Sequence, residues 1–335
     1  MTTPAAEQFM GSLIGQCLGD ALGFVVEGHS AEDCRRYVDD WLRAGRAGAI
    51  GRAPFAFGQY TDDSQLAREL LRSYRACGGF EPAHYAEAIA AIFTEGRIVG
   101  RGRSTEAAAL RLAAGTPWQE AGTEPPMAGN GSAMRAGPIG LLFHDDPEAL
   151  PGAAHDQGRM THADPRCSAG AAVIAGAVAL ALRREAVEPD AFVATLLPLA
   201  EAYDARLARE LARMTDWVAM DSAAAGPEIA QAGRDEAPVG RDWDGIAPYV
   251  VPSVLWSLYA FLRSPDDYWS TICVAIEVGG DVDTTAAMAG AISGAYNGLD
   301  AIPEVLAVRL NDQGTWGYAA LLDLARDCHA AKHRP

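Results

Sequence analysis

The sequence predicts an all-α fold that forms one compact domain over residues 1–335. Three observations support this fold class. Apolar residues recur at helical spacing in segments rich in Ala and Leu, alternating strand patterns are nearly absent, and loops that contain Gly or Pro separate the segments. A chain of 335 residues that is 49% hydrophobic can bury a large core, and neither a repeat nor a linker-like stretch divides it.

The predicted helices follow from these periodic runs in chain order. Their bounds are 10–23, 64–77, 83–95, 104–115, 168–184, 190–213, 250–263, 267–278, 283–298 and 316–331. Two stretches are predicted to be loops: 116–131, which is rich in Pro and Gly, and 223–247, which is acidic.

The first predicted helix carries Gly15, Gly19 and Gly23 at helical spacing. Residues without side chains along one face predict close contact with another helix, and the run 284–296 also has small residues at a spacing that allows close packing. Asp20 lies between these glycines, and a carboxylate among packed small residues is costly unless a partner binds it. We therefore expect a binding partner for Asp20.

Two aspartate clusters are the most informative motifs: Thr-Asp-Asp-Ser at 61–64 and Gly-Gly-Asp-Val-Asp-Thr at 279–284. Each stands where a helix should begin, so either one alone is typical of a helix N-cap. Capping needs one oxygen, however, and each cluster supplies three. An all-oxygen set without Cys or His suits Mg²⁺ or Mn²⁺, and four carboxylates suit two divalent ions better than one.

Two segments early in the chain are further candidates for a binding site. Glu27 follows the glycine-bearing helix and is either a solvated loop residue or a carboxylate over a pocket. The turn Gly-Arg-Gly-Arg-Ser-Thr at 100–105 opens a predicted helix, and free backbone N–H groups at such a start favour phosphate.

Two later segments have the composition of ligand-binding loops. In Gly-Asn-Gly-Ser-Ala-Met-Arg at 129–135, the glycines permit positive φ, expose backbone donors and set Ser132 at a predicted N-cap. Together with Arg135, this pattern favours a ligand loop over a merely capped one. His162, in Thr-His-Ala-Asp-Pro at 161–165, stands between a loop and a helix, where ligand contacts are common.

The composition of the chain indicates which kinds of binding partner and cellular compartment to expect. The net charge is −17, with 27 basic against 44 acidic residues, which disfavours general nucleic-acid binding. The six cysteines are scattered without a Cys-x-x-Cys pair, as expected in a reducing compartment. Neither a signal-type N-terminus nor an uncharged run long enough for a bilayer is evident. We expect a cytoplasmic protein without membrane association.

In their order along the chain, these motifs resemble the ADP-ribosylglycohydrolase family, which includes the dinitrogenase reductase–activating glycohydrolases and the ADP-ribosyl-arginine and ADP-ribosyl-serine hydrolases. The resemblance runs from about residue 11 to 298 and rests on six motifs in register. They are Gly-Asp-Ala-x-Gly with Glu27, Thr-Asp-Asp-Ser, the 100–105 turn, the 129–135 loop, Thr-His-x-Asp-Pro and Gly-Gly-Asp-x-Asp-Thr.

The resemblance implies an all-helical fold with a binuclear Mg²⁺ or Mn²⁺ centre in a central cleft. By carry-over, it implies metal ligands at Thr61, Asp62, Asp63, Asp281, Asp283 and Thr284. The implied substrate-binding residues are Gly100, Gly102, Ser104, Asn130, Gly131, Ser132, Met134 and His162. Glu27 and Asp283 are the implied catalytic carboxylates.

The implied activity is hydrolysis of the glycosidic bond at C1″ of ADP-ribose attached to an acceptor, most simply an arginine on a protein. Alternatives are ADP-ribosyl-serine, O-acyl-ADP-ribose or another small conjugate, and a silent ADP-ribose-binding member. Three departures matter: Ser64 stands where Thr is frequent, Val282 replaces a frequent Thr, and Gly100 stands where several arginine-specific members carry Asp. A monomer or small homo-oligomer is expected.

Overall fold

The protein is helical, and the computed structural model describes residues 3–234 and 243–334. Within those ranges there is no β-sheet, only isolated bridges such as Gln59 with Asn311 and Thr123 with His162. The predicted all-α class is therefore confirmed.

The α-helices are numbered in chain order. They are α1 Ala6–Gly23, α2 Ala31–Tyr37, α3 Asp62–Cys77, α4 Pro82–Thr94, α5 Arg103–Ala113, α6 Gly137–Leu142, α7 Leu150–Arg159, α8 Pro165–Ala181, α9 Pro189–Glu201, α10 Ala205–Leu211, α11 Met214–Val218, α12 Ser222–Gln231, α13 Val250–Arg263, α14 Tyr268–Glu277, α15 Val282–Asn297, α16 Glu304–Ala307 and α17 Tyr318–Lys332. Shorter 3₁₀ turns cover Phe24–Val26, Asn130–Ser132 and Leu299–Ala301, and a π-helical turn covers Val38–Arg43.

Some predicted elements need correction. The run 190–213 divides into α9 and α10 because Asp204 accepts hydrogen bonds from the backbone N–H groups of Arg206 and Leu207 and so starts a new helix. The prediction of a loop over 223–247 was wrong for its first part, which belongs to helix α12. Asp221 caps this helix, and Ala225 and Ile229 on it are buried. Residues 235–242 of that stretch lie outside the described part of the chain.

The short helices α2, α6, α7, α11 and α16 escaped prediction. They span few turns, so their apolar residues hardly repeat, and the second residue of α6 and of α7 is a proline, which resembles a loop signal in a sequence. The end of α3 was predicted: the helix ends at Cys77, as expected from the bounds 64–77, and Gly78 follows with φ +72°.

Helices α1 and α15 pack in an antiparallel pair at the centre of the protein, and glycines set their separation. A Cβ atom on Gly15 would lie 2.4 Å from the carbonyl oxygen of Gly290, and one on Gly19 would lie 2.2 Å from that of Ala286. Such distances are too short for real Cβ atoms, so the predicted close contact is confirmed. The pairing brings the start of α15 beside the end of α1.

One apolar segment, Ala6–Val26, is long enough to span a bilayer by length and composition. It includes α1, and 94% of its most apolar window is buried inside the protein. This burial is what the core helix of a folded domain shows.

Candidate functional site

The two aspartate clusters meet at one cleft of about 700 Å³. The cleft is lined by Glu27, Asp62, Asp63, Gly100, Arg101, Gly102, Arg103, Ser104, Thr105, Met127, Gly129, Asn130, Gly131, Met134, His162, Trp243, Pro248, Asp281, Asp283 and Thr284. Thus the structure brings together all but two of the site residues expected from the sequence. The exceptions, Thr61 and Ser132, are buried behind the lining.

The clusters begin helices but their N-cap side chains do not cap them. Thr61 precedes α3 and Asp281 precedes α15, and neither side chain makes a capping hydrogen bond. The carboxylates of Asp62 and Asp283, which lie in the first turns, reach the cleft instead. Simple capping therefore does not account for these residues.

Asp20 of α1 takes over the capping of α3. Its carboxylate accepts hydrogen bonds from the backbone N–H of Thr61 at 2.9 Å, from the Thr61 hydroxyl at 3.0 Å and from the backbone N–H of Ser64 at 3.1 Å. Burial still raises the pKa of Asp20 to about 7, although these bonds lower it. The expected partner of Asp20 is thus the start of the first aspartate cluster.

Four buried carboxylates form the floor of the cleft: Asp62, Asp63, Asp281 and Asp283. Burial raises the pKa of each, and neighbouring carboxylates raise further the pKa of all except Asp281. Asp281 accepts a hydrogen bond from Nδ2 of Asn130 at 2.5 Å and one from the hydroxyl of Thr284 at 3.3 Å. Asn130 and Thr284 therefore orient this carboxylate.

Glu27 extends this acidic group at the edge of the cleft. An oxygen of Glu27 lies within 4.8 Å of oxygens on Asp281 and Asp283. Burial and the charge of Asp281 raise the pKa of Glu27, and Arg52 opposes the shift. Of the two interpretations of Glu27 from the sequence, the structure matches the carboxylate over a pocket.

The chemistry of this donor set fits a divalent cation. Oδ1 of Asp63 is buried without a hydrogen-bond partner among the described residues, and its neighbours are carboxylates and hydroxyls. Hard oxygen donors of this kind match Mg²⁺ or Mn²⁺, and a cation there would offset the repulsion that raises the pKa values. Thr61 would contribute through its hydroxyl oxygen, which lies 3.0 Å from Oδ1 of Asp20 and 3.1 Å from Oδ2 of Asp63.

The glycine pair before Asp281 allows the backbone there to approach Ile246 closely. Gly279 and Gly280 adopt φ values of +79° and +86°. A Cβ atom on Gly280 would lie 2.1 Å from the carbonyl oxygen of Ile246, and Asp281 donates its backbone N–H to that same oxygen at 2.8 Å. The close approach fixes where α15 starts and hence where its carboxylates lie.

The 100–105 turn lies against the first aspartate cluster. The backbone N–H of Asp62 donates to the carbonyl of Val99 at 2.7 Å, and the backbone N–H of Gly102 bonds the Asp62 carboxylate. Gly100 has φ +73°, and a Cβ atom there would lie 2.8 Å from Oδ1 of Asp62. The turn therefore needs glycine at this position, and α5 starts at the cleft directly after it.

His162 supports the 129–131 loop. A Cβ atom on Gly131 would lie 2.6 Å from Cε1 of His162, so ring and loop are in close contact. Burial and the charge of Arg135 lower the pKa of His162 to about 3, so the ring is neutral at physiological pH. Its Nδ1 atom lies 2.9 Å from the hydroxyl of Thr161.

Two expectations for the 129–135 loop need correction. Ser132 is the last residue of a 3₁₀ turn and not an N-cap, and its hydroxyl donates to the carbonyl of Cys167 at 2.9 Å. This placement does not support a direct substrate contact through that hydroxyl. Arg135 is fully buried and binds Gln157 and Thr161, so it supports the loop from beneath.

Several cleft residues were missed. Met127, Trp243 and Pro248 form an apolar part of the lining, and Arg101 and Arg103 bring positive charge to the glycine turn. No motif marks the apolar residues, because they come from separate loops that only the fold brings together. The arginines were in the sequence motif, but their side chains were not assigned a role.

Comparison with known proteins identifies the family. The sequence profile of the ADP-ribosylglycohydrolase family matches residues 1–335. The chain is 30% identical over 331 residues to ADP-ribosylhydrolase ARH3 of Homo sapiens, covering 89% of this chain and 87% of that protein. It is 27% identical over 308 residues to ADP-ribosylarginine hydrolase Tri1 of Pseudomonas putida, covering 89% and 73%.

A solved structure is similar throughout. It is described as an ADP-ribosylglycohydrolase-related protein complex, and it matches with a TM-score of 0.72 at 27% identity, covering 98% of each chain. The family profile matches the whole sequence, and the solved structure matches 98% of it. The chain belongs to the ADP-ribosylglycohydrolase family and is a hydrolase of the ADP-ribosyl-acceptor type.

Proposed function

We propose that this protein is a metal-dependent hydrolase that cleaves the C1″ glycosidic bond of ADP-ribose linked to arginine on a protein. The observation that carries the proposal is the group of four buried carboxylates on the cleft floor, with Glu27 within 4.8 Å of Asp281 and Asp283. Their raised pKa values and the unpartnered Oδ1 of Asp63 support a cation as the missing partner.

In this proposal two Mg²⁺ or Mn²⁺ ions are held by Thr61, Asp62, Asp63, Asp281, Asp283 and Thr284. When bound, they supply Lewis acidity and charge compensation beside the distal ribose. Asn130 and Thr284 hold the Asp281 carboxylate in one orientation. Binding of the ions also allows a cleft floor of carboxylates to accept an anionic substrate.

The remaining residues bind and orient ADP-ribose. The glycine turn and the start of α5 offer backbone donors to the pyrophosphate, next to Ser104 and the arginines of the turn. Asn130, Gly131, Met134 and the neutral His162 line the other wall. Holding the ribose in one pose lowers the entropy cost of reaching the transition state.

Glu27 is the proposed proton-transfer group. Hydrolysis breaks the bond from C1″ to the leaving group, forms a bond from C1″ to a water oxygen, and moves one proton from that water to the leaving group. A half-buried carboxylate with a raised pKa next to the cleft floor is suited to accept and return that proton. Asp283, on the cleft floor beside it, is the second proposed catalytic carboxylate.

Arginine as the acceptor is supported by two features. A guanidine leaving group is cationic when protonated and suits an acidic cleft edge such as that formed by Glu27. In addition, a relative of 27% identity bears the name ADP-ribosylarginine hydrolase. An O-linked acceptor, such as serine or an acyl group, is the second candidate, because Gly100 supplies no carboxylate that could contact a guanidine leaving group.

A side-by-side assay on mono-ADP-ribosylated arginine and serine peptides and on O-acyl-ADP-ribose tests the proposal. Released ADP-ribose is quantified with Mg²⁺ or Mn²⁺ present. Glu27→Gln serves as the control variant that is expected to have low activity. We expect release from the arginine peptide. Efficient cleavage of serine with none of arginine would reject the acceptor while leaving hydrolysis of ADP-ribosyl bonds intact.

A further inference from the structure

Arg52 contacts the segment that carries Glu27 without lining the cleft itself. Its Nη1 atom lies 3.0 Å from the carbonyl oxygen of Phe24, 3.1 Å from that of Glu27 and 3.0 Å from Oε2 of Glu27. Its guanidinium carbon lies 5.0 Å from the centre of the Phe24 ring. One cation therefore holds both the main chain and the carboxylate of Glu27.

The backbone beyond Glu27 is held from the opposite side. Gly28 donates its N–H to the carbonyl of Gly280 at 2.8 Å, and Gly280 donates to the carbonyl of His29 at 2.9 Å. These bonds fix the main chain to the glycine pair of the second cluster. They do not fix the Glu27 side chain, which accepts a hydrogen bond from Arg52.

The ion pair with Arg52 sets the position of the Glu27 side chain. That side chain lies near the Asp281 and Asp283 carboxylates at the edge of the cleft. Without Arg52, no other hydrogen bond or ion pair among the described residues holds it there. Arg52 is the cation that contacts Glu27 directly among the described ion pairs.

Arg52 is itself set in an anchored segment. Its carbonyl accepts a hydrogen bond from the N–H of Phe55 at 2.8 Å. Further along, Asn311 donates its N–H to the carbonyl of Gly58 at 2.9 Å, and Arg309 donates to the carbonyl of Gly48 at 2.8 Å. The segment 44–58 is thus hydrogen-bonded to the chain around 309–311, and these bonds hold the backbone that carries Arg52 in place.

We propose that Arg52 is a positioning residue that holds the Glu27 carboxylate at the cleft for proton transfer. This inference rests on the proposed role of Glu27 in hydrolysis. It assigns a function to a residue from an irregular segment that no sequence motif marked.

The test is a double-mutant cycle with Arg52→Gln and Glu27→Gln in the full-length protein, with kcat and KM for ADP-ribose release as the readout. We expect Arg52→Gln to lower kcat by about 10- to 100-fold with little change in KM, since a misplaced catalytic group costs rate more than binding. Combined with Glu27→Gln, it should cause no further loss, because Arg52 acts through that side chain.

Two further variants separate positioning from damage to the fold. Arg52→Lys keeps the charge and should recover part of the lost kcat. Arg46→Gln is the matched control, since Arg46 lies in the same segment but donates to the carbonyl of Asp40 and stacks on Trp41. It should turn over at the wild-type rate.

Each outcome either supports or overturns the positioning role of Arg52. Arg52→Gln at the wild-type rate, or an equal loss in both Glu27 backgrounds, overturns the positioning role while the hydrolase proposal stands. If Arg52→Gln unfolds, the comparison rests on Arg52→Lys, and an equal loss for that variant with Glu and with Gln at position 27 likewise overturns it. Full activity of Glu27→Gln alone removes the proposed role of Glu27 and with it that of Arg52.

Discussion

Gly19 on α1 faces the carbonyl oxygen of Ala286 on α15 so closely that a Cβ atom on the glycine would lie 2.2 Å from that oxygen. The contact is between backbones, which cannot yield as a flexible side chain does. It places Asp20, which holds the first aspartate cluster, on the helix that packs against the helix of the second cluster. Helix packing and the assembly of the site therefore depend on the same glycines.

Replacement of Gly19 tests this packing. Overpacking a core costs up to about 3 kcal/mol, whereas alanine gains about 1 kcal/mol over glycine in a helix, so Gly19→Ala should lower the free energy of unfolding by about 2 kcal/mol. Urea unfolding measures the change. Gly79→Ala is the control, since a Cβ atom there meets nothing within 4 Å. Equal stability of the two variants would contradict the packing.

Glu27→Gln tests proton transfer at the anomeric centre. Loss of a general acid or base typically costs about 10²- to 10⁴-fold in rate, so kcat should fall by that range. ADP-ribose affinity, measured by calorimetry, should stay near the wild-type value because the amide keeps the shape of the side chain. Turnover within a few-fold of wild type would leave Glu27 as a loop residue and shift the role to a carboxylate on the cleft floor.

His162 should make the protein sensitive to acid. Its pKa in the folded state is about 3, below the usual value of 6.5, so between these pH values the unfolded chain binds more protons. Stability that is present above pH 6.5 is therefore lost as the pH falls toward 3, by about 2 kcal/mol at pH 5.

Urea unfolding of wild type and of His162→Gln at pH 7.5 and pH 5 measures this loss of stability. Both proteins carry the same carboxylates, so the difference between them isolates the histidine. The variant should lose less stability than wild type on acidification. The exposed His84, changed to Gln, provides a control that should follow wild type. Identical acid sensitivity of His162→Gln and wild type would contradict the buried neutral ring.

Asp63→Asn tests the balance of charge on the cleft floor. Because the Oδ1 atom of Asp63 is buried among other carboxylates without a partner, its neutralisation should leave the chelated protein as stable as wild type or more so. Added Mg²⁺ or Mn²⁺ should stabilise wild type by about 2.7 kcal/mol at a free concentration of 100 times Kd, and the variant much less. Thermal unfolding with and without metal gives both quantities; equal metal shifts in the two proteins would argue against Asp63 as a ligand.

The residues of the site could be predicted from the sequence more completely than the short helices and irregular segments around it. Residue types alone pointed to both aspartate clusters, to the glycine turn at 100–105 and to a partner for Asp20, because buried carboxylates and glycines each have few uses in a helical core. Ser132 was misjudged, since its bond to Cys167 depends on the packing of α8. Arg52 and Trp243 were missed because irregular segments have no periodicity, and only tertiary contacts bring Trp243 to the cleft and Arg52 to Glu27.

The central claim is that the carboxylates of the cleft floor bind divalent ions that hydrolysis requires. The most direct measurement is ADP-ribose release from an ADP-ribosyl-arginine peptide after exhaustive chelation and after Mg²⁺ or Mn²⁺ is restored, for wild type and for Asp62→Asn and Asp281→Asn. We predict no release in excess EDTA, recovery of wild type with metal, and little recovery of the variants although their circular dichroism stays helical. Full activity of the wild-type protein in excess EDTA would contradict the claim.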